Sequence, residues 1–98
     1  MNPIEELEQR FVIDNEHYYI LGTDFDDTVV GACSLTGQTD YTAVIKQIEY
    51  FKTRSYQVAV LYGDTITIMR DEEEDWEAYL YVKQGTEWKL HREDLEVK

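Results

Sequence analysis

The sequence predicts an α+β domain, with two helices packed on a mostly antiparallel, curved sheet that ends in a four-stranded meander (α-β-β-β-α-β-β-β-β). Three observations predict it. Tyr41, Val44, Ile45, Ile48 and Phe51 repeat at helical spacing. From Gln57 onward the apolar period changes to two. Gly63-Asp64 then joins two such runs by a loop short enough only for an antiparallel hairpin.

Taken in order, Asn2-Pro3-Ile4-Glu5 reads as a helix start: Asn2 caps, Pro3 tolerates the first helical position, and Glu5 is a capping-box acid. The helix runs through Arg10, with Ile4, Leu7 and Phe11 on one face. Phe11-Val12-Ile13 and His17-Tyr18-Tyr19-Ile20-Leu21 read as strands joined by Asp14-Asn15-Glu16. Thr23-Asp24-Phe25-Asp26-Asp27 is turn chemistry, and residues 28–35 form a strand weakened by Gly31.

Residues 36–40 break that strand, and Thr39 or Asp40 caps the second helix. Both helices are expected on one side of the sheet. In the first hairpin of the meander, Leu61 should face Ile66 and Ala59 should face Ile68. After an acidic turn at residues 71–75, Trp76, Ala78, Leu80 and Val82 alternate with Glu77, Tyr79, Tyr81 and Lys83. Gln84-Gly85-Thr86 turns the chain into a last strand, with Trp88 and Leu90 expected inward.

The chain has 98 residues, of which 43% are hydrophobic, the size and composition of one globular domain spanning residues 1–98. Cys33 is the single cysteine, so no internal disulfide can form, which suits a reducing compartment. The acidic start MNPIEELEQR lacks a basic-then-apolar leader, and no apolar run reaches the roughly 20 residues of a membrane span. The expected location is cytoplasmic.

Charge narrows the partners. Twenty-one acids against nine Lys and Arg give a net charge of −12. Such a chain is disfavoured on phosphate backbones, which need Lys and Arg to displace counterions, and on anionic membrane surfaces. A basic protein, or a basic groove on one, would be attracted and steered.

Among motifs, Asp24-Phe25-Asp26-Asp27-Thr28 is similar to the first signature of the haloacid dehalogenase superfamily. That resemblance implies Asp24 as nucleophile, Asp26 as general acid/base and a magnesium ion. It stops there. Tyr62 stands where the second motif needs Ser or Thr, and a tight hairpin at Gly63-Asp64 is incompatible with a parallel sheet. The Asp-rich segment is therefore expected to be a turn. His17 and His91 are isolated and Asp24, Asp26 and Asp27 lack the calcium-loop pattern, so no metal, cofactor or catalytic residue is expected.

The segment Asp71-Glu72-Glu73-Glu74-Asp75-Trp76-Glu77 holds six carboxylates in seven residues. Extended, it carries one charge per roughly 4 Å, close to the phosphate spacing of a single nucleic-acid strand. A second acid-rich zone, residues 11–45, contains Asp14, Glu16, Asp24, Asp26, Asp27 and Asp40 and no Lys or Arg. Eight tyrosines add amphipathic rings, among them Tyr79 and Tyr81 on one face of their strand.

Residues 36–91 also resemble the latter part of the nuclear-transport-factor-2-like superfamily, through the helix, Tyr62-Gly63-Asp64-Thr65, Tyr79-Leu80-Tyr81-Val82-Lys83 and Gln84-Gly85-Thr86 leading to Trp88. The resemblance implies a curved sheet around a pocket. The expected function is a non-enzymatic inhibitor of the phage anti-defence or immunity type. Its carboxylates at Asp71, Glu72, Glu73, Glu74, Asp75, Glu77, Asp24, Asp26 and Asp27 would occupy a basic nucleic-acid-binding surface, aided by Tyr79 and Tyr81. A small-ligand-binding or enzymatic protein and a structural homodimer through the face bearing Tyr79 and Tyr81 are the alternatives.

Overall fold

The computed structural model describes residues 3–36, 41–72 and 75–96, with the backbone alone at residues 72, 75 and 93–96. The elements are α1 (Pro3–Arg10), β1 (His17–Thr23), β2 (Val29–Thr36), α2 (Tyr41–Thr53), β3 (Gln57–Tyr62), β4 (Thr65–Glu72), β5 (Asp75–Gln84) and β6 (Glu87–Glu96). The strands form one antiparallel sheet in the order β2-β1-β3-β4-β5-β6. This is the α+β class that the periodicities predict. No helix among the described residues is long and apolar enough to cross a membrane.

Two strands, not three, precede α2. Residues 11–13 are a run of β-forming residues, yet they form an irregular strap. Phe11 N–H donates to the Leu7 carbonyl at 3.2 Å, and the Tyr19 hydroxyl donates to the Val12 carbonyl at 3.1 Å. The Phe11 ring lies 5.0 Å from that of Tyr19, while Val12 is left 95% exposed. Local side-chain bonds have replaced a ladder.

The two helices cover opposite faces, rather than one side as the sequence suggested. On the α1 face, Ile4 and Leu7 pack with Tyr19, Leu21, Ala59, Leu61, Ile66 and Ile68. On the α2 face, Val44 and Phe51 pack with Ile20, Val58, Met69 and Ala78. The physical reason lies in β1 and β3, whose central residues are apolar on both sides of the pleat and need cover on both. Of the expected stripe on α2, Val44 and Phe51 are buried, whereas Tyr41 and Ile45 are exposed.

Phe51 sits where β1 and β2 carry paired glycines, Gly22 opposite Gly31. A Cβ at Gly22 would lie 2.7 Å from its ring, and one at Gly31 would lie 2.9 Å away. The glycine expected to weaken β2 thus makes room for the helix.

The meander forms with the expected register, Leu61 opposite Ile66 and Ala59 opposite Ile68. At its head Gly63 has φ 60°, as a primed turn with glycine in first place requires. The next turn is one residue shorter than expected: Gln84 pairs with Glu87 and Lys83 with Trp88. That parity puts Trp88 on the α1 face with Tyr79 and Tyr81, opposite to Trp76, and leaves Leu90 exposed. Both helices pack chiefly on the β2-β1-β3 half of the sheet, and from the wing formed by β4, β5 and β6 the buried residues Ile66, Ile68, Met69 and Ala78 join the same two clusters.

Candidate protein-binding site

The strand directions bring the turn at residues 24–28 and the acidic β4–β5 hairpin to one end of the sheet. β1 finishes there, β2 starts there, and β4 and β5 are joined there. Asp14 and Glu16 lie at the opposite end of β1, and Asp40 lies outside the described residues. An open concavity of about 160 Å³ records the meeting: Asp24, Phe25, Asp27, Ser55, Gln57, Arg70 and Asp71 line it. Carboxylates nearly fifty residues apart in the chain share one small depression.

The Asp24 turn is built from its own side chain. Its carboxylate accepts the Asp26 N–H and the Thr28 N–H, each at 2.9 Å, and Asp27 donates its N–H to the Asp24 carbonyl at 3.1 Å. Asp27 takes the left-handed φ of 59°, which Asp tolerates better than most residues. Asp24 therefore shapes the loop, while Asp26 and Asp27 stand exposed on it. Phe25 beside them is 80% exposed.

The second segment is less of a turn than expected. β4 runs through Asp71 and Glu72, β5 resumes at Asp75, and Glu72 pairs directly with Asp75. Glu73 and Glu74 lie outside the described residues, as do the side chains of Glu72 and Asp75. Glu77 pairs with Arg70 in the register and accepts the Tyr79 hydroxyl at 3.0 Å.

Among the described residues the ion pairs are Arg10–Glu6 and His17–Asp14, both remote from this end. Three cations near it lie over rings instead: Lys52 over Trp76 at 5.0 Å, Arg54 over Tyr50 at 4.1 Å and Arg70 over Tyr79 at 5.3 Å. The carboxylates of Asp26, Asp27 and Asp71 are thus left without an ion-pair partner among the described residues. Tyr79 and Tyr81 are half-buried against the α1-face cluster rather than projecting freely, because the main core lies on their side of the sheet.

Among the described residues no three His, Cys, Asp or Glu side chains converge as a metal site. Cys33 is half-buried, and burial pushes its thiol up, away from the thiolate.

A second concavity, which residue patterns did not reveal, opens between α1 and the wing. It has a volume of about 620 Å³, lined by Ile4, Glu5, Glu8, Arg70, Tyr81 and Trp88 among others. Trp88 keeps its indole Nε1–H buried with no hydrogen-bond partner, and the Thr23 hydroxyl at the end of β1 is also buried and unpartnered. No family model, curated protein or solved structure matches the chain.

Proposed function

We propose that the protein is a non-enzymatic binding module, an inhibitor of the anti-defence or immunity type. Its acidic end occupies a basic nucleic-acid-binding surface of another protein. The observation that carries this reading is the convergence of the turn at residues 24–28 with the β4–β5 hairpin around one depression. Residues from both acid-rich stretches border one depression, and Asp26, Asp27 and Asp71 make no ion pair among the described residues, the nearby Arg70 lying over Tyr79. Lys and Arg on a partner pair with these carboxylates, and Phe25 adds apolar contact at the centre of the charge. The same field steers encounter and makes affinity fall with salt.

The test is capture from a bacterial lysate at low salt, followed by elution with excess double-stranded DNA or RNA. A retained protein displaced by nucleic acid, and lost when Asp26, Asp27 and Asp71 are all changed to Asn, supports the reading. A retained protein that nucleic acid does not displace, or that the triple variant still holds, overturns it. Asp24 is left unchanged because it closes the turn.

The groove supports a second reading, a ligand-binding protein of the kind the nuclear-transport-factor-2-like resemblance implies. Its favouring observation is the buried, unpartnered N–H of Trp88 in a groove of small-ligand size. Glu5, Glu8 and Glu87 outnumber Arg70 in its lining, so it suits an aromatic cation. Tyramine serves as a probe: quenching of tryptophan fluorescence that Trp88→Phe abolishes supports the reading, and no saturable quenching rejects it.

A further inference from the structure

The sheet is open and its two edges differ in kind. β6 is a protected edge. Glu87, Lys89, His91, Arg92, Glu93, Asp94 and Glu96 load it with charge, and its pairing with β5 shifts register twice. Charges and bulges of this sort keep edges from pairing with other chains. β2, at the other edge, has neither protection over most of its length.

The strand reads Val-Val-Gly-Ala-Cys-Ser-Leu-Thr, with no charged residue and no proline in a chain that carries 21 acids. It pairs with β1 in unbroken register from His17–Thr36 to Gly22–Gly31, and the one shift comes at its start. β1 and β3 are equally free of Asp, Glu, Lys and Arg, but they lie inside the sheet. β2 is the uncharged strand left with one side unpaired among the described residues, although Val30, Ala32, Ser34 and Thr36 are all exposed.

We infer that β2 is a self-association edge, pairing antiparallel with the β2 of a second copy to make a continuous twelve-stranded sheet. Charge decides the occupant. The strand offers no carboxylate to a basic partner, so such a protein has no electrostatic reason to choose it. A second copy brings an equally uncharged strand, and no like charges are set opposite each other within the new ladder. Charge also decides the direction. The turn at residues 24–28 lies at the start of β2, so antiparallel pairing sends the two acidic ends to opposite ends of the dimer. Parallel pairing would place them side by side. Near the two-fold axis stand Gly31, Ala32, Cys33 and Ser34, all small enough for close approach. The arrangement closes on itself, because the outer edges of the dimer are the two protected β6 strands.

This pairing is independent of the acidic end and has the opposite salt dependence. Two copies of net charge −12 repel, and screening reduces that repulsion. Added salt therefore strengthens the dimer while it weakens binding to a basic partner.

Sedimentation velocity across the micromolar range, in low salt and in half-molar salt, tests it. Wild-type protein is expected to move toward twice the monomer mass as concentration and salt rise. Ala32→Lys and Ser34→Lys each place like charges about the axis and are expected to weaken association about tenfold or more. Both positions are exposed, so at concentrations where wild type is monomeric the thermal unfolding of each variant should match it, which separates loss of pairing from loss of folding. Leu90→Lys on β6 should leave the dimer intact. A folded monomer under every condition overturns the inference. So does a dimer that neither β2 lysine weakens, or one that Leu90→Lys disrupts.

Discussion

The β2-β1-β3 half of the sheet and the β4-β5-β6 wing solve the burial problem differently. The first half is sandwiched, with α1 on one face and α2 on the other, and its central side chains are fully buried. In the wing Ile66, Ile68, Met69 and Ala78 join the two cores, while the large residues farther out are half-buried or exposed. There the rings are covered by cationic side chains: Lys52 lies over Trp76, Arg70 over Tyr79 and Lys83 over Trp88. Their long apolar stems shield a ring while the charge stays wet. Both concavities border the wing. The wing is also where the chain departs from a closed core, and the groove follows from that.

The largest expected effect falls on the slot that locks α2 to the sandwiched half. Phe51→Ala removes a ring that is 2% exposed and seated on Gly22 and Gly31, and should cost about 3–5 kcal/mol in urea unfolding. Gly22→Ala attacks the same slot from the other side and should cost about 1–3 kcal/mol through overpacking. Combining Gly22→Ala with Phe51→Leu should cost less than the sum of the single changes. Additive losses would mean that the ring and the glycine are not in contact.

Tyr19→Phe tests how the strap at residues 11–14 is held. Its hydroxyl accepts the Asp14 N–H at 3.0 Å and donates to the Val12 carbonyl. Losing both bonds should cost about 0.5–1.5 kcal/mol and speed hydrogen exchange at Asp14, with the wing unaffected. A smaller loss is expected in the wing. Lys52→Ala and Lys83→Ala should each cost about 0.5–1 kcal/mol, and each should raise acrylamide quenching of its own tryptophan. Losses of several kcal/mol would show that the wing is held as firmly as the sandwiched half.

The sequence makes the local pieces legible and the assembly less so. Alternation across Gly63-Asp64 predicts the register of β3 and β4, because a two-residue turn leaves the pairing little freedom. The continuous apolar runs Tyr18-Tyr19-Ile20-Leu21 and Val58-Ala59-Val60-Leu61 already carry the mark of strands buried on both faces. Followed through, that mark places the helices on opposite sides. The insertion of β1 between β2 and β3 is a long-range choice with no local trace. The sequence puts Trp88 on the Trp76 face and the structure on the other, because one residue of turn length reverses every side chain beyond it. For the candidate site, composition identifies the two acidic stretches. Their meeting depends on strand order and direction, which periodicity does not reveal.

The smallest effect belongs to the strap's own titration. The Asp14 carboxyl is lowered from its ordinary 3.8 to about 2, first by its bond to the His17 ring and then by the N–H of Glu16 and of His17. Those bonds measure 2.9 Å to the ring and to Glu16, and 3.0 Å to the His17 N–H. A group whose folded value is depressed stabilises the fold above its unfolded value and loses that contribution as pH falls through the folded one. The contribution should therefore be complete above about pH 4 and fade toward pH 2, where Asp14 becomes protonated even in the folded chain. Solvent surrounds the pair, which keeps the effect modest and salt-sensitive. Comparing wild type with Asp14→Asn from pH 6 to pH 2 isolates it: the two melting curves should draw together as acid is added. A gap that stays constant across this range would show that Asp14 holds the strap by shape rather than by charge.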